Sequence, residues 1–374
     1  MSLPQRTFRA PGRVNLIGEH TDYNDGWVLP CAINFQTQVA VTPRSDNMLV
    51  LKSAAFAEAY EFDLADLPKQ RLGAWCDYVL GVAVILQQRG QQLCGMELAI
   101  TSDVPSGAGL SSSAAVEVAS ALAFLSSSEN YLPGPELAKL CREAENNFVG
   151  AKVGIMDQFV SCMGKVDHAL LLDCRSLEYR LVPIPAHVRM VVCNTMVKHE
   201  LASGEYNRRR AECEEGVRLL SRWYQGIKAL RDVSLPQLEA HARELPAAIY
   251  KRCAHIISEN QRTQAGADAL AACDLKQFGK LMRESHESLR DLYEVSCQEL
   301  DLMVEAAEGL AGHWGGRMTG GGFGGCTVNL VEAENAEQFS RDISEKYRSK
   351  TGTRPDVYIC KASNGAVAEN CRIT

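Results

Sequence analysis

The sequence predicts a globular protein that contains both β-strands and α-helices. Its 374 residues are 46% hydrophobic and 23% charged, a balance that can bury a large core, and the length suggests two domains or one large one. Short apolar runs typical of strands occur in the first hundred residues, whereas a helical pattern dominates the later chain up to Leu310. No internal repeat or low-complexity tract is present.

Strands are predicted where short apolar runs partly alternate with polar residues. The first three are FQTQVAVTP at 35–43, MLVLKSA at 48–54 and GMELAIT at 95–101. Two helices follow. One covers Ser112–Leu125 and is rich in Ala and Leu; the other begins at Pro135 and ends at Gly150, with apolar residues along one face.

The pattern restarts with a strand, MVVCNTMV at 190–197, and then becomes largely helical. Two strand-like segments, CTVNLVEA at 326–333 and PDVYICKA at 355–362, close the chain with a helix between them. We place a domain boundary near residue 185, in the proline-containing segment LVPIPAHV. The predicted domains are therefore 1–185 and 186–374.

Composition and charge exclude several functional classes. A formal net charge of −7 disfavours nucleic acid or an anionic membrane as a partner, and the basic run Arg208–Arg210 is followed by acidic residues at helical spacing, as on a solvated helix face. No apolar run approaches the roughly 18 residues that span a membrane, and the N-terminus lacks an apolar signal region. The fourteen cysteines form no CxxC pair, so we expect reduced, mostly buried thiols in a cytoplasmic protein.

The segment PGRVNLIGEHTDYNDG, at 11–26, concentrates charged side chains and backbone breakers. It contains Arg13, Glu19, His20, Asp22 and Asp25 together with three glycines and a proline. Glycines permit the tight turns that would present these side chains together. A charged surface turn is the alternative, although the apolar flanks VNLIG and WVLP argue against it.

The segment VPSGAGLSSSAA, at 104–115, runs from a strand-like stretch into a helix. Free backbone N–H groups and the positive end of the helix dipole favour an anion such as phosphate there. The alternative is a flexible turn with a serine N-cap, but one cap requires only one of the three consecutive serines. No GxxxxGK[ST] sequence occurs, so any nucleotide would bind without a P-loop lysine.

Two further segments carry candidate functional residues. MTGGGFGGCTVNL, at 318–330, places five glycines in six positions before a strand; alone it indicates a tight turn, but with the first glycine-rich segment it could contact the same phosphates. Asp157 lies in the apolar stretch VGIMDQF. It is either a capping or ion-paired core residue or a functional carboxylate.

These three motifs, in this order, resemble the signature motifs of the superfamily of galactokinase, homoserine kinase, mevalonate kinase and phosphomevalonate kinase. GRVNLIGEHTDY, AENNFVGAKVGIMDQF and SGEYNRRRAECEE are most similar to the galactokinase family, and the resemblance spans residues 9 to about 330. It implies a two-domain α+β fold, with an N-terminal domain like ribosomal S5 domain 2, a ferredoxin-like C-terminal domain and the active site in the cleft.

The resemblance implies ATP-dependent phosphorylation of α-D-galactose at its anomeric hydroxyl, giving galactose 1-phosphate, the first committed step of galactose use. Asp157 would accept the proton, and Arg13 would lie beside it, hold it ionised and offset charge on the transferring group. Positions that match sugar-binding residues are Arg13, Glu19, His20, Asp22, Gly154, Asp157 and Tyr206. Carboxylates suit a hexose because they accept several hydrogen bonds from its hydroxyls.

The same resemblance assigns residues to ATP and Mg²⁺. The phosphate loop comprises Gly107, Ala108, Gly109, Leu110, Ser111, Ser112 and Ser113. Ser113 and Glu145 match magnesium ligands, and Trp75 matches the aromatic residue that packs on adenine. Without the motifs, these three would be interpreted as a helix-start serine, a solvent-facing helix glutamate and a core tryptophan.

Two alternatives to a galactose kinase remain at this point. A related sugar kinase for N-acetylgalactosamine, galacturonate or arabinose would share most of the motifs. A sensor that binds ATP and galactose without turnover is the other, although Ser113, Ala114 and Asp157 are all present here. We expect a monomer with small-molecule substrates, no nucleic-acid partner and no membrane partner; no sequence feature sets the oligomeric state.

Overall fold

The structure is a computed structural model that describes residues 6–105, 107–127, 130–198 and 202–368. The strands are β1 (Arg6–Asn15), β2 (Trp27–Val28), β3 (Pro30–Pro43), β4 (Met48–Ser53), β5 (Phe56–Asp63), β6 (Met96–Ser102), β7 (His168–Asp173), β8 (Tyr179–Pro183), β9 (Val188–Lys198), β10 (His313–Thr319), β11 (Gly324–Glu332), β12 (Asp356–Cys360) and β13 (Val367–Ala368). The helices are α1 (Asp77–Gln88), α2 (Ser112–Ser127), α3 (Gly134–Ala144), α4 (Met156–Met163), α5 (Ala202–Leu220), α6 (Leu235–Glu239), α7 (Ala247–Ala271), α8 (Leu275–Ser288), α9 (Gln298–Ala307) and α10 (Ala336–Thr351).

Packing divides the chain into two compact units. Unit 1 comprises Met1–Arg13, Ala32–Val166 and Ser363–Thr374, and unit 2 comprises Val14–Cys31 and Asp167–Ala362. This division differs from the predicted 1–185 and 186–374, because the residue-185 boundary falls inside unit 2 and segment 14–31 belongs with later residues. The physical reason is the pairing of β2 with β7, a non-local contact that local proline signals cannot reveal.

Unit 1 is built on one sheet against which helices pack. Among the described residues the sheet has six strands in the order β13-β1-β3-β6-β4-β5, with β4 parallel to β6 and the β3–β6 and β4–β5 pairs antiparallel. A buried apolar cluster joins Leu80 of α1, Phe124 of α2 and Leu140 of α3 to this sheet. The three early strand predictions are confirmed. Strands β5, which is mostly exposed, and β1, which contains Pro11 and Gly12, were not predicted.

Unit 2 contains two antiparallel sheets within the described residues, one ordered β10-β11-β9-β12 and one ordered β2-β7-β8. Both closing strands of the sequence are confirmed, and each pairs with β9 rather than with the other. Helices α9 and α10 pack on the first sheet through residues such as Met303 and Phe339. A second cluster joins α5 and α7, with Leu220 and Ile256 among its buried members.

The predicted helix that ends at Gly150 changes its geometry on the way. Regular α-helix stops at Ala144, and a π-helical turn covers Glu145–Val149 before Gly150 adopts a left-handed φ of 84°. A π-turn adds a residue to the turn and is frequent at functional sites. Glu145 is only 6% exposed. Its interpretation as a solvent-facing glutamate is therefore wrong, because the turn places it inside unit 1.

Two predictions from composition can be compared with the structure. All thirteen cysteines in the described part of the chain are free thiols, nine of them buried, which confirms the predicted reduced, mostly buried state. No helix within the described residues is long and apolar enough to cross a membrane.

Candidate active site

Arg13 and Asp157 form a bidentate ion pair in unit 1. The Nε–Oδ1 and Nη2–Oδ2 distances are both 2.8 Å, and Arg13 Nη1 also donates to the Gly109 carbonyl at 2.6 Å. The Ser111 hydroxyl donates to Asp157 Oδ2 at 2.5 Å. Arg13 comes from β1 and Asp157 from the first turn of α4. The predicted pairing is confirmed, and the Asp157 side chain stays 25% exposed, which leaves it accessible to a ligand.

The loop that precedes α2 has an unusual backbone. Gly107 and Gly109 have φ values of 69° and 68°, and Ser111 has 58°, a left-handed conformation that costs free energy for a residue with a side chain. Arg13 N donates to the Leu110 carbonyl at 3.0 Å. Gly12, which we expected to form a turn, lies within β1 instead; a Cβ there would meet Leu110 O at 2.6 Å, so glycine permits this close approach.

Three carboxyl groups gather beside the start of α2. Gln158 Nε2 donates to Glu145 Oε2 at 2.6 Å and to Glu117 Oε2 at 3.0 Å. Burial, and then the charge of Asp157, raises the pKa of Glu145 to about 7, although hydrogen bonds from Gln158 and Ser113 oppose the shift. Burial and the Glu145 charge raise the pKa of Glu117 well above its ordinary value. Burial and mutual repulsion therefore disfavour ionisation of Glu145 and Glu117, and a cation beside them would favour it.

These features fit a divalent cation at Ser113 and Glu145. A serine hydroxyl and a carboxylate are the oxygen ligands that Mg²⁺ takes, and the interaction of the Ser113 hydroxyl with Glu145 places both donors together. The uncompensated charge of the carboxyl cluster would be offset by the cation. No group of three or more His, Cys, Asp or Glu side chains is arranged as a metal site in the part of the chain that the structure describes.

Trp75 lies beside a small pocket in unit 1. Its ring stacks on Phe56 with the centroids 5.7 Å apart and the planes at 4°, and the half-buried side chain also packs on the core. The pocket, about 180 Å³, is lined by Trp75, Phe56, Tyr78, Ser112 and Ser113 among others. Trp75 is therefore both a core contact and a pocket wall next to the serines of the loop.

The Glu19 carboxylate is ion-paired and hydrogen-bonded within unit 2. It is 3% exposed, its Oε2 lies 2.7 Å from Arg317 Nη2, and its Oε1 accepts from the Gly320 N–H at 3.0 Å. Asn15 Nδ2 donates to Oε2 at 3.1 Å. The glutamate thus joins the first motif to the glycine-rich third motif. This structural role was not predicted, and its role as a sugar ligand stays a prediction.

His20 belongs to an aromatic cluster of unit 2. Its Nδ1 lies 2.8 Å from the Tyr23 hydroxyl, which lies 2.7 Å from the Tyr293 hydroxyl. Ring centroids of Tyr206 and Tyr293 lie 5.6 and 4.7 Å from that of His20. Burial lowers the pKa of His20 well below its ordinary value, so the ring is neutral at physiological pH. Tyr206, a predicted site residue, lies beside His20, and its role as a sugar ligand stays a prediction. Tyr23 and Tyr293 were not predicted as part of this cluster.

The two remaining predicted residues, Asp22 and Gly154, lie in unit 2 and unit 1, respectively. Asp22 opens a short 3₁₀ turn, Asp22–Asn24, and is partly exposed. Gly154 is buried just before α4. Unit 1 therefore brings together Arg13, Trp75, the 107–113 loop, Glu145, Gly154 and Asp157, and unit 2 holds Glu19, His20, Asp22 and Tyr206.

Comparison with known proteins gives matches along the whole chain. Family models match as the galactokinase galactose-binding signature at residues 2–43, the GHMP kinases N terminal domain at 77–165 and the GHMP kinases C terminal at 267–349. The galactokinase of Roseiflexus sp. (strain RS-1) is 49% identical over 371 residues, 99% of this chain and 95% of that protein. The chain belongs to the galactokinase family.

Other galactokinases and solved structures agree with this membership. The galactokinase of Chloroflexus aggregans (strain MD-66 / DSM 9485) is 50% identical over 97% of this chain and 93% of its own length. The crystal structure of Lactococcus lactis galactokinase complexed with galactose is 35% identical and superposes with a TM-score of 0.94, covering 98% of this chain and 95% of that one. A mevalonate kinase structure, at 17% identity and a TM-score of 0.68, shares the fold. The α+β two-domain fold class is confirmed.

Several buried residues of this candidate site were not predicted from the sequence. Glu117 and Gln158 were not predicted, although a lone carboxyl among the alanines, valines and leucines of α2 is a signal that could have indicated Glu117. Arg317 precedes the third motif and is completely buried against Glu19. A buried arginine within a strand has no local sequence signature.

Proposed function

We propose that this chain catalyses ATP-dependent phosphorylation of α-D-galactose at the anomeric hydroxyl, giving galactose 1-phosphate and ADP. Membership in the galactokinase family along nearly the whole chain supports this activity. The observation in the chain itself that carries the proposal is the Arg13–Asp157 pair, which is hydrogen-bonded both to the backbone of the glycine-serine loop and to Ser111.

Asp157 accepts the proton of the anomeric hydroxyl as the oxygen attacks the γ-phosphorus of ATP. The O–H bond breaks, an O–P bond forms, and the bond from the γ-phosphorus to the bridging oxygen breaks to release ADP. Arg13 orients the carboxylate through its two hydrogen bonds and offsets charge on the transferring group. The loop at 107–113 and the first turn of α2 donate backbone N–H groups to the phosphates.

Ser113 and Glu145 hold Mg²⁺ in this proposal. When bound, the cation offsets the negative charge of the phosphate oxygens. Trp75 packs on the adenine ring, since its pocket adjoins the serines of the phosphate loop. A bound cation would add positive charge beside Glu145 to that which Arg13 supplies.

Galactose binding is assigned to Arg13, Glu19, His20, Asp22, Gly154, Asp157 and Tyr206. Asp22 is partly exposed and can accept from sugar hydroxyls. His20 is neutral and offers one nitrogen beyond the one that contacts Tyr23. Glu19 acts mainly by fixing the turn, since Arg317 and Gly320 already occupy its carboxylate.

A panel of sugars tests the activity. Release of ADP is measured with galactose, glucose, N-acetylgalactosamine, galacturonate and arabinose. Galactose should have the highest kcat/KM, and glucose should be lower by about 10²-fold or more, because its inverted C4 hydroxyl leaves hydrogen-bonding groups of the site unpaired. Comparable turnover of glucose, or a preference for another sugar of the panel, would contradict the proposal. Binding of galactose and ATP without ADP release would favour the sensor.

We further propose a cytoplasmic monomer. The net charge of −7 supports the absence of a nucleic-acid or anionic-membrane partner. Sedimentation of the full chain at micromolar concentration measures the oligomeric state directly. A concentration-independent mass near 41.0 kDa is the expected result, and a mass near twice that value would contradict the monomer.

A further inference from the structure

Glu259 is a completely buried carboxylate that the proposed reaction does not use. It lies on α7 with 0% exposure. Its Oε1 accepts from the Gly18 N–H at 3.0 Å, the Glu19 N–H at 3.4 Å and the Ser285 hydroxyl at 2.6 Å, and its Oε2 lies 2.7 Å from Arg262 Nε. A buried charge is costly unless it is paired and hydrogen-bonded. This one is both, and two of its donors are backbone groups of the first motif.

His255 contacts the same short segment from one turn earlier on α7. Residues four apart lie on one face of a helix, so His255 and Glu259 point the same way. The His255 Nε2 lies 3.3 Å from the Glu19 carbonyl oxygen, and Nδ1 lies 2.8 Å from the Ser288 hydroxyl. Because a carbonyl oxygen only accepts, Nε2 carries the proton and Nδ1 accepts from Ser288. Helix α7 therefore binds three backbone groups of two consecutive residues: the N–H of Gly18 and the N–H and C=O of Glu19.

The segment that α7 holds is strained. Gly18 has a φ of 97°, and a Cβ there would meet the Trp27 carbonyl at 2.7 Å. The next residue but one, His20, has a left-handed φ of 63° despite its side chain. Such conformations persist only where surrounding contacts determine them. The contacts that hold this one include three from α7, more than two hundred residues along the chain, beside those of Thr21, Asn24 and Gly320.

We propose that Glu259 and His255 are positioning residues for galactose binding. They hold the Gly18–Glu19 backbone so that His20 and Asp22 face the sugar, without touching the sugar themselves. This inference rests on the proposed function, because it assumes that the first motif binds galactose. In this proposal, a buried carboxylate on α7 helps to fix the backbone geometry of that motif.

The test compares Glu259→Gln with the unchanged protein, both as full chains. The amide keeps the size of the side chain but loses the charge that faces Arg262, and its NH₂ group cannot accept from any donor. Calorimetry gives the Kd of galactose and the Kd of ATP separately, and steady-state kinetics gives kcat and KM. We expect the galactose Kd and KM to rise by about tenfold or more, with the ATP Kd and kcat at saturating galactose within about threefold of the original.

Ile256→Val is the matched control. Ile256 is a completely buried neighbour on α7 that contributes only an apolar side chain to the core. The valine removes one methylene, so it should lower the unfolding temperature while leaving the galactose Kd unchanged. Ser285→Ala, which removes one donor to Glu259, serves as the milder variant should Glu259→Gln not fold; a galactose Kd raised by about two- to fivefold is expected from it.

The possible results distinguish a failure of the positioning role from a failure of the proposed function. Galactose affinity that is unchanged in Glu259→Gln, or in Ser285→Ala should the first variant not fold, would overturn the positioning role. Equal weakening of galactose and ATP would also overturn it, because a general loss of structure would then explain both. Failure of the unchanged protein to bind galactose would instead overturn the proposed function on which this inference rests.

Discussion

Glu145 of unit 1 and Glu259 of unit 2 differ in how completely their buried carboxyl groups are paired. In unit 2, Glu259 meets Arg262, the charges of Arg262, His255 and Arg317 more than offset burial, and its pKa is about 2. In unit 1, burial and the nearby Asp157 charge outweigh the hydrogen bonds to Glu145 and raise its pKa to about 7. A fully paired carboxylate such as Glu259 can hold neighbouring backbone groups in place. An incomplete set of partners leaves charge that a ligand can compensate.

This difference predicts two kinds of mutational effect. Changes to Asp157 or Glu145 should reduce turnover while the protein stays folded, because we propose that these groups act on the sugar or the metal rather than on the core. Changes to the completely paired cluster should act through the folded structure and through the geometry of the first motif. The four substitutions that follow can break or sharpen this contrast, from the largest expected effect to the smallest.

Asp157→Asn should have the largest effect. The amide keeps the size and can still hydrogen-bond the sugar, but it cannot take up the proton and loses the ion pair with Arg13. We expect kcat to fall by about 10²–10⁴-fold, with the galactose and ATP dissociation constants within about threefold of the original. Rate assays and calorimetry measure these quantities.

Asp173→Asn is the matched control for Asp157→Asn. Asp173 also forms a bidentate pair, with Arg231, at 2.5 and 3.0 Å, but it lies in unit 2 outside the predicted site residues. It should reduce stability and leave kcat unchanged. A loss of only about tenfold in Asp157→Asn would mean that Asp157 orients the sugar and that electrostatics carry the reaction. Loss of folding would indicate a structural ion pair instead.

Glu145→Gln should have the second largest effect. It removes the proposed magnesium ligand, so we expect turnover to fall by about 10²-fold and the Mg²⁺ concentration for half-maximal rate to rise. The unfolding temperature without metal should stay the same or increase, because the amide removes a poorly compensated buried charge. Titration of the rate with Mg²⁺ and thermal unfolding give the two results.

Glu143→Gln serves as the control for Glu145→Gln. Glu143 is two residues earlier, is 36% exposed and pairs with Arg89 on the surface. A surface pair of this kind contributes little, so neither rate nor stability should change by much. An unchanged Mg²⁺ requirement in a folded, active Glu145→Gln protein would rule out Glu145 as a metal ligand.

Residues with a local signal could be predicted, and those that depend on tertiary contacts could not. Arg13 and Asp157 stood out because charged residues are unusual next to glycines or within an apolar run. Glu259 lies on a helix with many polar residues, where nothing in the pattern distinguishes a buried carboxylate from a solvated one. The same limit applied to Glu145, since the π-turn that buries it replaces a helix that the pattern correctly predicted up to Ala144.

His255→Gln tests the cluster of His255 and Glu259 through the pH dependence of the unfolding free energy. Burial lowers the pKa of His255 to about 4, against the charge of Glu259, while the unfolded chain titrates near 6.5. The unfolded state therefore binds more protons between these values, so stability falls as pH drops from 6.5 towards 4. Between pH 7 and 5 the variant should lose less unfolding free energy than the original, by about 2 kcal/mol.

Urea unfolding at the two pH values measures that difference. His313, whose pKa burial also lowers to about 4, is present in both proteins and contributes equally to each. The comparison of slopes therefore removes the direct cost of the lost hydrogen bonds to Ser288 and Glu19. Parallel pH dependences would mean that His255 is not held neutral by its surroundings, which would contradict its description as a neutral ring that contacts Ser288 and Glu19.

Trp75→Leu should have the smallest effect. Trp75 packs on the core and also lines the pocket beside Ser112 and Ser113, so the substitution tests whether it acts in stability, in ATP binding or in both. If the ring stacks on adenine, the ATP Kd should rise by about three- to tenfold while the galactose Kd stays constant, and Trp75→Phe should restore most of the affinity. Trp223→Leu is the control, since Trp223 stacks on His241 in unit 2 and should leave the ATP Kd unchanged. A lower unfolding temperature with unchanged ATP binding would identify Trp75 as a core residue alone. Weaker ATP binding without loss of stability would show that Trp75 acts mainly in nucleotide binding, together with the serines beside its pocket.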